Sequence, residues 1–337
     1  MSDPWAVLAL PPVDRTLWDR LVGELGISLE VPVDRSPAAA RAAARDADVV
    51  IGDWSGQIRL DADFVAAAPR LVFVHQPSVG VDSIDIDACS KRGIAVANAG
   101  AANAVSVAEW CVGSTFAALR SLAFADHAVR VGRWPQLEIS RRGGGELAGR
   151  RVGILGMGRI ARECAHRFHV LGADVAYWSR HRRDDGESGG ARWLPFDELL
   201  TRSEVLVVVI ALADQTRGLL GARELARLPV GAFVINAARG GILDEDALLA
   251  GVRSGAIAGA ALDVFATEPL PPDSPLLEED RIVLSPHAAG ATREAQGRLL
   301  QGLEDNVRRA VVGEAIADVV NAASLPGFTG VIERRKA

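Results

Sequence analysis

The chain has 337 residues, 49% of which are hydrophobic, and a formal net charge of −6 at pH 7. This length is typical of about two domains of ~150 residues each, and the acidic balance argues against a nucleic-acid partner because it predicts no basic face. No apolar run approaches the ~18 residues of a membrane span, the N-terminus lacks the basic and apolar regions of a secretory signal, and the three cysteines have neither metal nor disulfide spacing. We therefore expect a cytoplasmic protein with reduced thiols and without a membrane span or a metal site.

Short apolar runs alternate with helical segments in the first third of the chain. The apolar runs predict five buried strands, and the segments 37–45 and 61–68 predict helices between them. The predicted strands span 5–10, 27–31, 49–52, 71–75 and 94–98. This alternation is typical of a parallel sheet that is covered by helices on both faces. A long helix is predicted next, over about 104–131.

A second series of strands and helices begins at residue 152. Its predicted strands span 152–156, 174–178, 205–210, 232–236, 257–262 and 282–285. A last helix is predicted over 292–312, and the tail 328–337 is expected to be loose. The sequence thus predicts an α/β protein with two doubly wound parallel sheets, in which the residues before about 99 form a separate domain. The ligand crevice is expected outside the carboxyl ends of the strands.

A glycine turn follows the first strand of the second series. Residues 151–161 read Arg-Val-Gly-Ile-Leu-Gly-Met-Gly-Arg-Ile-Ala, an apolar strand that leads through two glycines into a helix. Gly156 permits the turn, Gly158 lets the backbone approach a pyrophosphate, and Ala161 lets the helix pack closely on the strand. The pattern in this context predicts a dinucleotide site, and the alternative is a turn that serves packing alone.

The next strand ends without the acidic residue that binds the ribose 2′-hydroxyl of NAD. Ser179 stands there instead, and Arg180 with Arg182 or Arg183 can form charge-assisted pairs with a 2′-phosphate. The sequence therefore predicts NADP as the cofactor. NAD is the alternative if these arginines are only solvated and an Asp within 184–185 reaches the ribose.

Three later strand ends carry polar side chains. Arg239 follows one buried strand beside two glycines, Asp263 and Glu268 follow the next, and His287 follows the last. Because doubly wound folds gather ligands at the carboxyl ends of their strands, these residues together favour a reactive site. Taken singly, Arg239 could form a surface ion pair, Glu268 could cap a turn and His287 could be a satisfied buried histidine.

These segments make the chain resemble the D-isomer-specific 2-hydroxyacid dehydrogenase family over nearly its whole length. The matching segments are 77–82 with 84–85, 105–109, 153–161, 236–241, 263–269 and 285–290. The resemblance implies a Rossmann-type cofactor domain (99–290) inserted in a flavodoxin-like substrate domain that is built from both chain ends (1–98 and 291–327). It also implies a homodimer that forms largely through the long helix near 104–131.

The resemblance also implies roles for single residues. His287 resembles the general acid/base, Glu268 its paired acid, and Arg239 the group that binds the substrate's carboxylate and carbonyl. Asp263 resembles the acid that orients the nicotinamide carboxamide. The other implied cofactor contacts are Gly156, Met157, Gly158, Arg159, Ile160, Thr216, Ala237, Ala238 and Gly290. The candidate substrate contacts are Trp54, Ser78 and the backbone N–H groups of Val79 and Gly80.

The implied reaction is hydride transfer between NAD(P)H and a small 2-oxo acid or D-2-hydroxy acid of the glyoxylate or hydroxypyruvate type. A histidine can supply the proton near neutral pH, and an arginine can bind the carboxylate bidentately. An unusual anion such as formate, phosphite or a phosphonate is the alternative, although formate dehydrogenases carry Gln in place of Glu268 and 77–81 lack the Lys of phosphite-oxidising relatives. A nucleotide-binding corepressor is a third interpretation. Trp134 either reaches a partner subunit's site or serves packing.

Overall fold

A computed structural model of the chain describes residues 4–11, 18, 22, 23, 25–183 and 189–325. The chain divides into two compact units: unit 1 comprises Met1–Ala102 and Arg293–Ala337, and unit 2 comprises Asn103–Thr292. The predicted loose tail and the acidic alternative within 184–185 lie outside the described residues. In the described part of the chain, no helix combines the length and the apolar character needed to cross a membrane.

Unit 1 contains a five-stranded parallel sheet in the order β2-β1-β3-β4-β5. Its strands are β1 (Ala6–Ala9), β2 (Ser28–Glu30), β3 (Val49–Ile51), β4 (Phe73–His75) and β5 (Ala95–Ala97). Its helices are Pro37–Ala43, Ala62–Ala67, Ile86–Lys91 and Arg293–Val312. Three of these helices have a side-chain N-cap, since Ser36, Asp61 and Asp85 each accept a hydrogen bond from a first-turn N–H. The five strand predictions are confirmed.

Both faces of this sheet are buried, which explains the near-continuous apolar runs. Phe73 and its neighbours on one face pack against Leu303 and Val307 of the last helix. Val74 and its neighbours on the other face pack against Phe64 and the short helices.

Unit 2 contains a seven-stranded parallel sheet in the order β12-β11-β10-β9-β6-β7-β8. Its strands are β6 (Arg151–Leu155), β7 (Asp174–Trp178), β8 (Arg192–Trp193), β9 (Val205–Val208), β10 (Ala232–Asn236), β11 (Ile257–Leu262) and β12 (Ile282–Leu284). Its helices are Ala104–Leu119, Leu122–Arg130, Gln136–Arg142, Arg159–Val170, Phe196–Arg202, Ala222–Leu225 and Glu245–Ser254. The strand order reverses between β6 and β9, and such a switch point is where a doubly wound sheet binds its ligands.

The prediction of one long helix over 104–131 is wrong. The helix ends at Leu119, and a second helix begins at Leu122 after Ser121, which adopts a left-handed conformation with φ +50°. The Leu119 carbonyl accepts the N–H of Gly145, so a remote segment closes the first helix. The two-residue strand β8 was not predicted, because so short a strand has no readable periodicity.

Candidate active site

The glycine turn after β6 is shaped for a close backbone approach. Gly156 has φ +109°, and a Cβ there would lie 2.9 Å from the carbonyl oxygen of Val209, so both conformation and space require glycine. Gly158 is the N-cap residue of the helix Arg159–Val170, and a Cβ on it would meet none of the described atoms within 4 Å. No described side chain caps this helix. A helix N-terminus that opens at a glycine in this way favours a phosphate group.

The residues around these glycines differ in exposure. The side chains of Met157 and Ala161 are buried in the core, so the predicted cofactor contact of Met157 would be made by its backbone. Arg159 is exposed and Ile160 is half-buried at the start of the helix.

The loop after β7 carries the side chains predicted to select the cofactor. The Ser179 hydroxyl donates to the carbonyl of His181 at 2.6 Å, and Nε1 of Trp193 donates to the Ser179 carbonyl at 3.3 Å. These two hydrogen bonds fix the backbone of the loop at the carboxyl end of β7. The side chains of Arg180 and Arg182 are exposed beside it.

Asn236, the last residue of β10, shapes the turn that presents Arg239. Its buried side chain accepts the Ala238 N–H at 3.0 Å and donates to the Arg239 carbonyl at 3.3 Å. Arg239 is half-buried, and its guanidinium donates to the Ala238 carbonyl at 2.7 Å. The Ala237 N–H donates to the carbonyl of Val208 at 3.2 Å, which ties the turn to β9. Sequence reasoning missed the role of Asn236, although a polar residue at the end of an apolar strand is a usable signal.

Asp263 follows β11 and organises the turn after β12. Its side chain is buried; Oδ1 accepts the Ala288 N–H at 2.8 Å and also the Ser285 hydroxyl, and Oδ2 accepts the Ala289 N–H at 2.8 Å. Its backbone carbonyl accepts the His287 N–H at 2.7 Å. Asp263 therefore fixes the backbone that carries His287. A carboxylate oxygen can accept more than one hydrogen bond, so these bonds are compatible with a further one from a carboxamide. The contact of Asp263 with the cofactor stays a prediction.

His287 and Glu268 form a hydrogen-bonded pair. Nδ1 of His287 lies 2.7 Å from Oε2 of Glu268, while Oε1 of Glu268 accepts the Phe265 N–H at 2.9 Å. Glu268 thus caps its own turn and also holds the imidazole. His287 has φ +53°, and left-handed residues other than glycine are uncommon and cluster at functional sites. Glu268 thus engages Nδ1 of the ring and not Nε2.

The polar turns share one edge of the sheet. β10, β11 and β12 are consecutive parallel neighbours, so the turns that bear Arg239, Glu268 and His287 follow their carboxyl ends side by side. Glu268 and His287 are in direct contact, and Arg239 lies on the adjacent turn. Within the described residues, no group of three or more His, Cys, Asp or Glu side chains is arranged to hold a metal ion.

Two further predicted cofactor residues make local contacts. The Thr216 hydroxyl donates to the carbonyl of Ala211 at 2.7 Å and accepts the Ala213 N–H at 2.7 Å, which closes its own turn. Gly290 packs against Asn103, whose Nδ2 would lie 2.8 Å from a Cβ at position 290. Their cofactor contacts remain predictions.

In unit 1, the loop after β4 has three successive carbonyl oxygens engaged by protein donors. The Ser78 carbonyl accepts the Ala99 N–H at 3.0 Å, the Val79 carbonyl accepts Nδ2 of Asn98 at 2.7 Å, and the Gly80 carbonyl accepts the Ser78 hydroxyl at 2.9 Å. Neither the Val79 N–H nor the Gly80 N–H donates to any group in the described part of the chain. Successive N–H groups without a protein acceptor can form an anion-binding concavity.

Buried polar groups support this loop. Gln76 donates to the Asp53 carbonyl at 3.3 Å and to the Ser78 hydroxyl at 3.0 Å, and the buried Asp53 carboxylate accepts a hydrogen bond from Arg35 at 3.1 Å. His75 precedes the loop, and burial lowers its pKa to about 4. His75 is therefore neutral near pH 7 and adds no positive charge at the end of β4, where the loop begins.

The chain is similar to known proteins in sequence and in structure. The family described as D-isomer specific 2-hydroxyacid dehydrogenase, NAD binding domain, matches residues 112–289. A glyoxylate reductase of Aeropyrum pernix is 38% identical over 279 residues, which are 80% of this chain and 83% of that protein. The crystal structure of a glyoxylate reductase from Paecilomyes thermophila has a TM-score of 0.87 at 28% identity and covers 95% of this chain and 99% of its own.

A longer relative matches over part of its length. The D-3-phosphoglycerate dehydrogenase of Archaeoglobus fulgidus is 37% identical over 270 residues, which are 80% of this chain and 51% of that protein. The chain thus spans about half the length of the phosphoglycerate dehydrogenases that it matches.

Proposed function

The chain belongs to the D-isomer specific 2-hydroxyacid dehydrogenase family, and we propose that it transfers a hydride between a nicotinamide cofactor and a small 2-oxo or D-2-hydroxy acid. The observation that carries this proposal is the His287–Glu268 pair, on turns next to that of Arg239 at one sheet edge. Reducing a carbonyl beside a carboxylate needs a proton donor and a cation that stabilises the developing oxyanion. These three side chains supply both functions.

The nucleotide is proposed to bind at the glycine turn after β6. The tight turn at Gly156 and the helix N-terminus at Gly158, which no described side chain caps, fit a pyrophosphate. The nicotinamide cofactor, when bound, supplies or accepts the hydride. The turns at Ala237 and Ala238, Thr216 and Gly290 are proposed to flank it, and Asp263 is proposed to orient its carboxamide.

His287 is proposed as the general acid/base. The bond from Glu268 to Nδ1 fixes the ring and leaves Nε2 to give a proton to the oxyanion during reduction, or to take the hydroxyl proton during oxidation. Arg239 is proposed to bind the carboxylate and the carbonyl oxygen through its planar guanidinium, which favours two parallel hydrogen bonds.

In unit 1, the N–H groups of Val79 and Gly80 are proposed to bind the substrate's carboxylate. Support comes from the three engaged carbonyl oxygens of the loop, which hold it in one conformation. Ser78 contributes through its bond to the Gly80 carbonyl. Trp54, which follows β3 and is 40% exposed, is proposed to contact the substrate's side chain.

NADP is proposed as the preferred cofactor. Ser179 puts no negative charge at the end of β7, and the exposed Arg180 and Arg182 can pair with a 2′-phosphate. An acidic residue at this strand end would repel that phosphate, whereas a serine does not.

A panel of 2-oxo acids tests the proposed function. The panel contains glyoxylate, hydroxypyruvate, pyruvate and 3-phosphohydroxypyruvate, each assayed with NADPH and with NADH for kcat/KM. We expect the highest values for the small unphosphorylated acids with NADPH, because the residues proposed here address a carboxylate and its neighbouring carbonyl. Absence of turnover with every 2-oxo acid would contradict the proposal.

A homodimer is proposed as well. Large apolar side chains are exposed along 122–137: Leu122 (51%), Val129 (50%), Trp134 (81%) and Leu137 (72%). An apolar surface of this kind marks an interaction site more often than free surface. Light scattering at micromolar concentration should give twice the chain mass, and a monomer there would contradict the proposal.

A further inference from the structure

Glu245 reaches from the start of its helix to the turn that carries Glu268. Its Oε1 accepts the Ala266 N–H at 2.5 Å. The preceding N–H, of Phe265, donates to Oε1 of Glu268 at 2.9 Å. Two carboxylates therefore hold successive N–H groups of one turn, Glu268 from within it and Glu245 from outside.

Gly240 packs against the same peptide group. A Cβ on Gly240 would lie 1.9 Å from the carbonyl carbon of Phe265 and 2.2 Å from the nitrogen of Ala266, so a larger residue has no room. Gly240 directly follows Arg239, and Glu245 begins the helix that comes next. The segment that starts at Arg239 thus touches the turn of Glu268 at two points, once through backbone packing and once through the carboxylate of Glu245.

The surroundings of Glu245 disfavour the ionised form of its side chain. Burial raises the pKa of Glu245, and the negative charges of Asp246, Glu268 and Asp244 raise it further, whereas the hydrogen bond from Ala266 lowers it. Asp246 and Asp244 lie beside it in sequence, and Glu268 faces it from the neighbouring turn. Of these influences, the hydrogen bond from Ala266 is the one that stabilises the ionised carboxylate of Glu245.

We propose that Glu245 is a positioning residue: its hydrogen bond to Ala266 fixes the turn 265–268, so that Glu268 stays on Nδ1 of His287. The kinetic consequence rests on the proposed function, whereas the geometric consequence does not. Because the general acid/base must be held within a fraction of an ångström of its working position, a loosened turn lowers kcat more than it changes substrate binding.

Two variants separate the contact from the charge. Glu245→Asp keeps the charge but shortens the side chain by about 1.5 Å, roughly one C–C bond, so the carboxylate no longer reaches Ala266. Glu245→Gln keeps the length and the acceptor but removes the charge. Asp246→Asn is the matched control, since it changes a neighbouring acid that is exposed and does not bond Ala266.

We expect Glu245→Asp to lower kcat roughly tenfold with little change in KM, and Glu245→Gln and Asp246→Asn to stay within about twofold of the wild type. The imidazole ¹⁵N spectrum gives a second readout that needs no substrate, with the His287 signals assigned by their loss in His287→Gln. In Glu245→Asp, the His287 Nδ1 signal should move toward its position in Glu268→Ala. In Glu245→Gln and Asp246→Asn it should not move.

An unchanged His287 signal in Glu245→Asp overturns the proposal, whatever happens to the rate. Loss of activity in Glu245→Gln with normal activity in Glu245→Asp also overturns it, because charge rather than contact would then matter. If the wild-type protein turns over no 2-oxo acid, the proposed function fails, and the ¹⁵N spectra still decide the role of Glu245.

Discussion

The two units differ in the kind of group that is proposed to act on the substrate. In unit 1, the groups proposed to bind the anion are backbone N–H groups, at Val79 and Gly80, and the side chain of Asn98 holds their loop. In unit 2, the proposed reactive groups are side chains, at Arg239 and His287, and backbone and buried side-chain bonds hold their turns.

This contrast determines where each unit is sensitive to substitution. A backbone N–H survives almost every substitution at its own position, so unit 1 should be most sensitive at residues that hold the loop. A side-chain group is lost with its residue, so unit 2 should be most sensitive at the reacting residues themselves.

The largest effect is expected for His287→Ala. Loss of the general acid/base should lower kcat by about a thousandfold, or about 4 kcal/mol of transition-state stabilisation. The Kd for the cofactor, measured by fluorescence titration, should stay the same, because the glycine turn after β6 is untouched. His166→Ala, which removes an exposed histidine from the helix Arg159–Val170, is the control and should leave kcat and the cofactor Kd unchanged. Lost cofactor binding in His287→Ala would count against a purely chemical role.

A smaller effect is expected at another side chain of unit 2. Ser179→Asp places a carboxylate where the 2′-phosphate is proposed to bind, and like charges in contact cost a few kcal/mol. The ratio of kcat/KM for NADPH to that for NADH should fall roughly thirtyfold, which corresponds to about 2 kcal/mol. Ser179→Ala removes the bond to His181 without adding charge and should change the ratio less than about threefold. An unchanged ratio in Ser179→Asp would show that this strand end does not select the cofactor.

In unit 1, the sensitive position should be Asn98, which is not proposed to touch the substrate. Asn98→Ala removes the donor that holds the Val79 carbonyl, so the N–H groups of the loop lose their fixed direction. The KM for the 2-oxo acid should rise about tenfold with kcat nearly unchanged, as expected for a loss of uniform binding. Gln57→Ala, another amide of unit 1 but an exposed one, is the control. A fall in kcat with constant KM would place Asn98 in the chemical step instead.

The strands could be predicted from sequence because both sheets are parallel and buried on both faces, so each longer strand is an apolar run. The break between the helices ending at Leu119 and beginning at Leu122 could not. Leu119, Arg120 and Ser121 give no glycine or proline signal, and the bond from the Gly145 N–H that closes the first helix comes from a remote segment. Local sequence does not show a helix end that is set by tertiary contact.

The same distinction applies to the candidate site. The rule that ligands gather at strand ends identified Glu268 and His287, and the structure places them in contact. The supports were not predictable, since Asn98 lies in an ordinary strand-end loop and Glu245 in an ordinary first helical turn. Their partners, Val79 and Ala266, become apparent only when the register of distant segments is known.

The smallest expected effect is at Val79, and it tests the contrast between the units most directly. Val79→Ala removes a side chain from a residue proposed to contact the substrate, yet it keeps the N–H group and the carbonyl that Asn98 holds. The kcat/KM for the 2-oxo acid should therefore stay within about twofold, because uniform binding is preserved. If Val79→Ala instead raises KM as much as Asn98→Ala does, the side chain of Val79 binds the substrate. Unit 1 would then work through side chains as unit 2 does, and the difference between the two units would disappear.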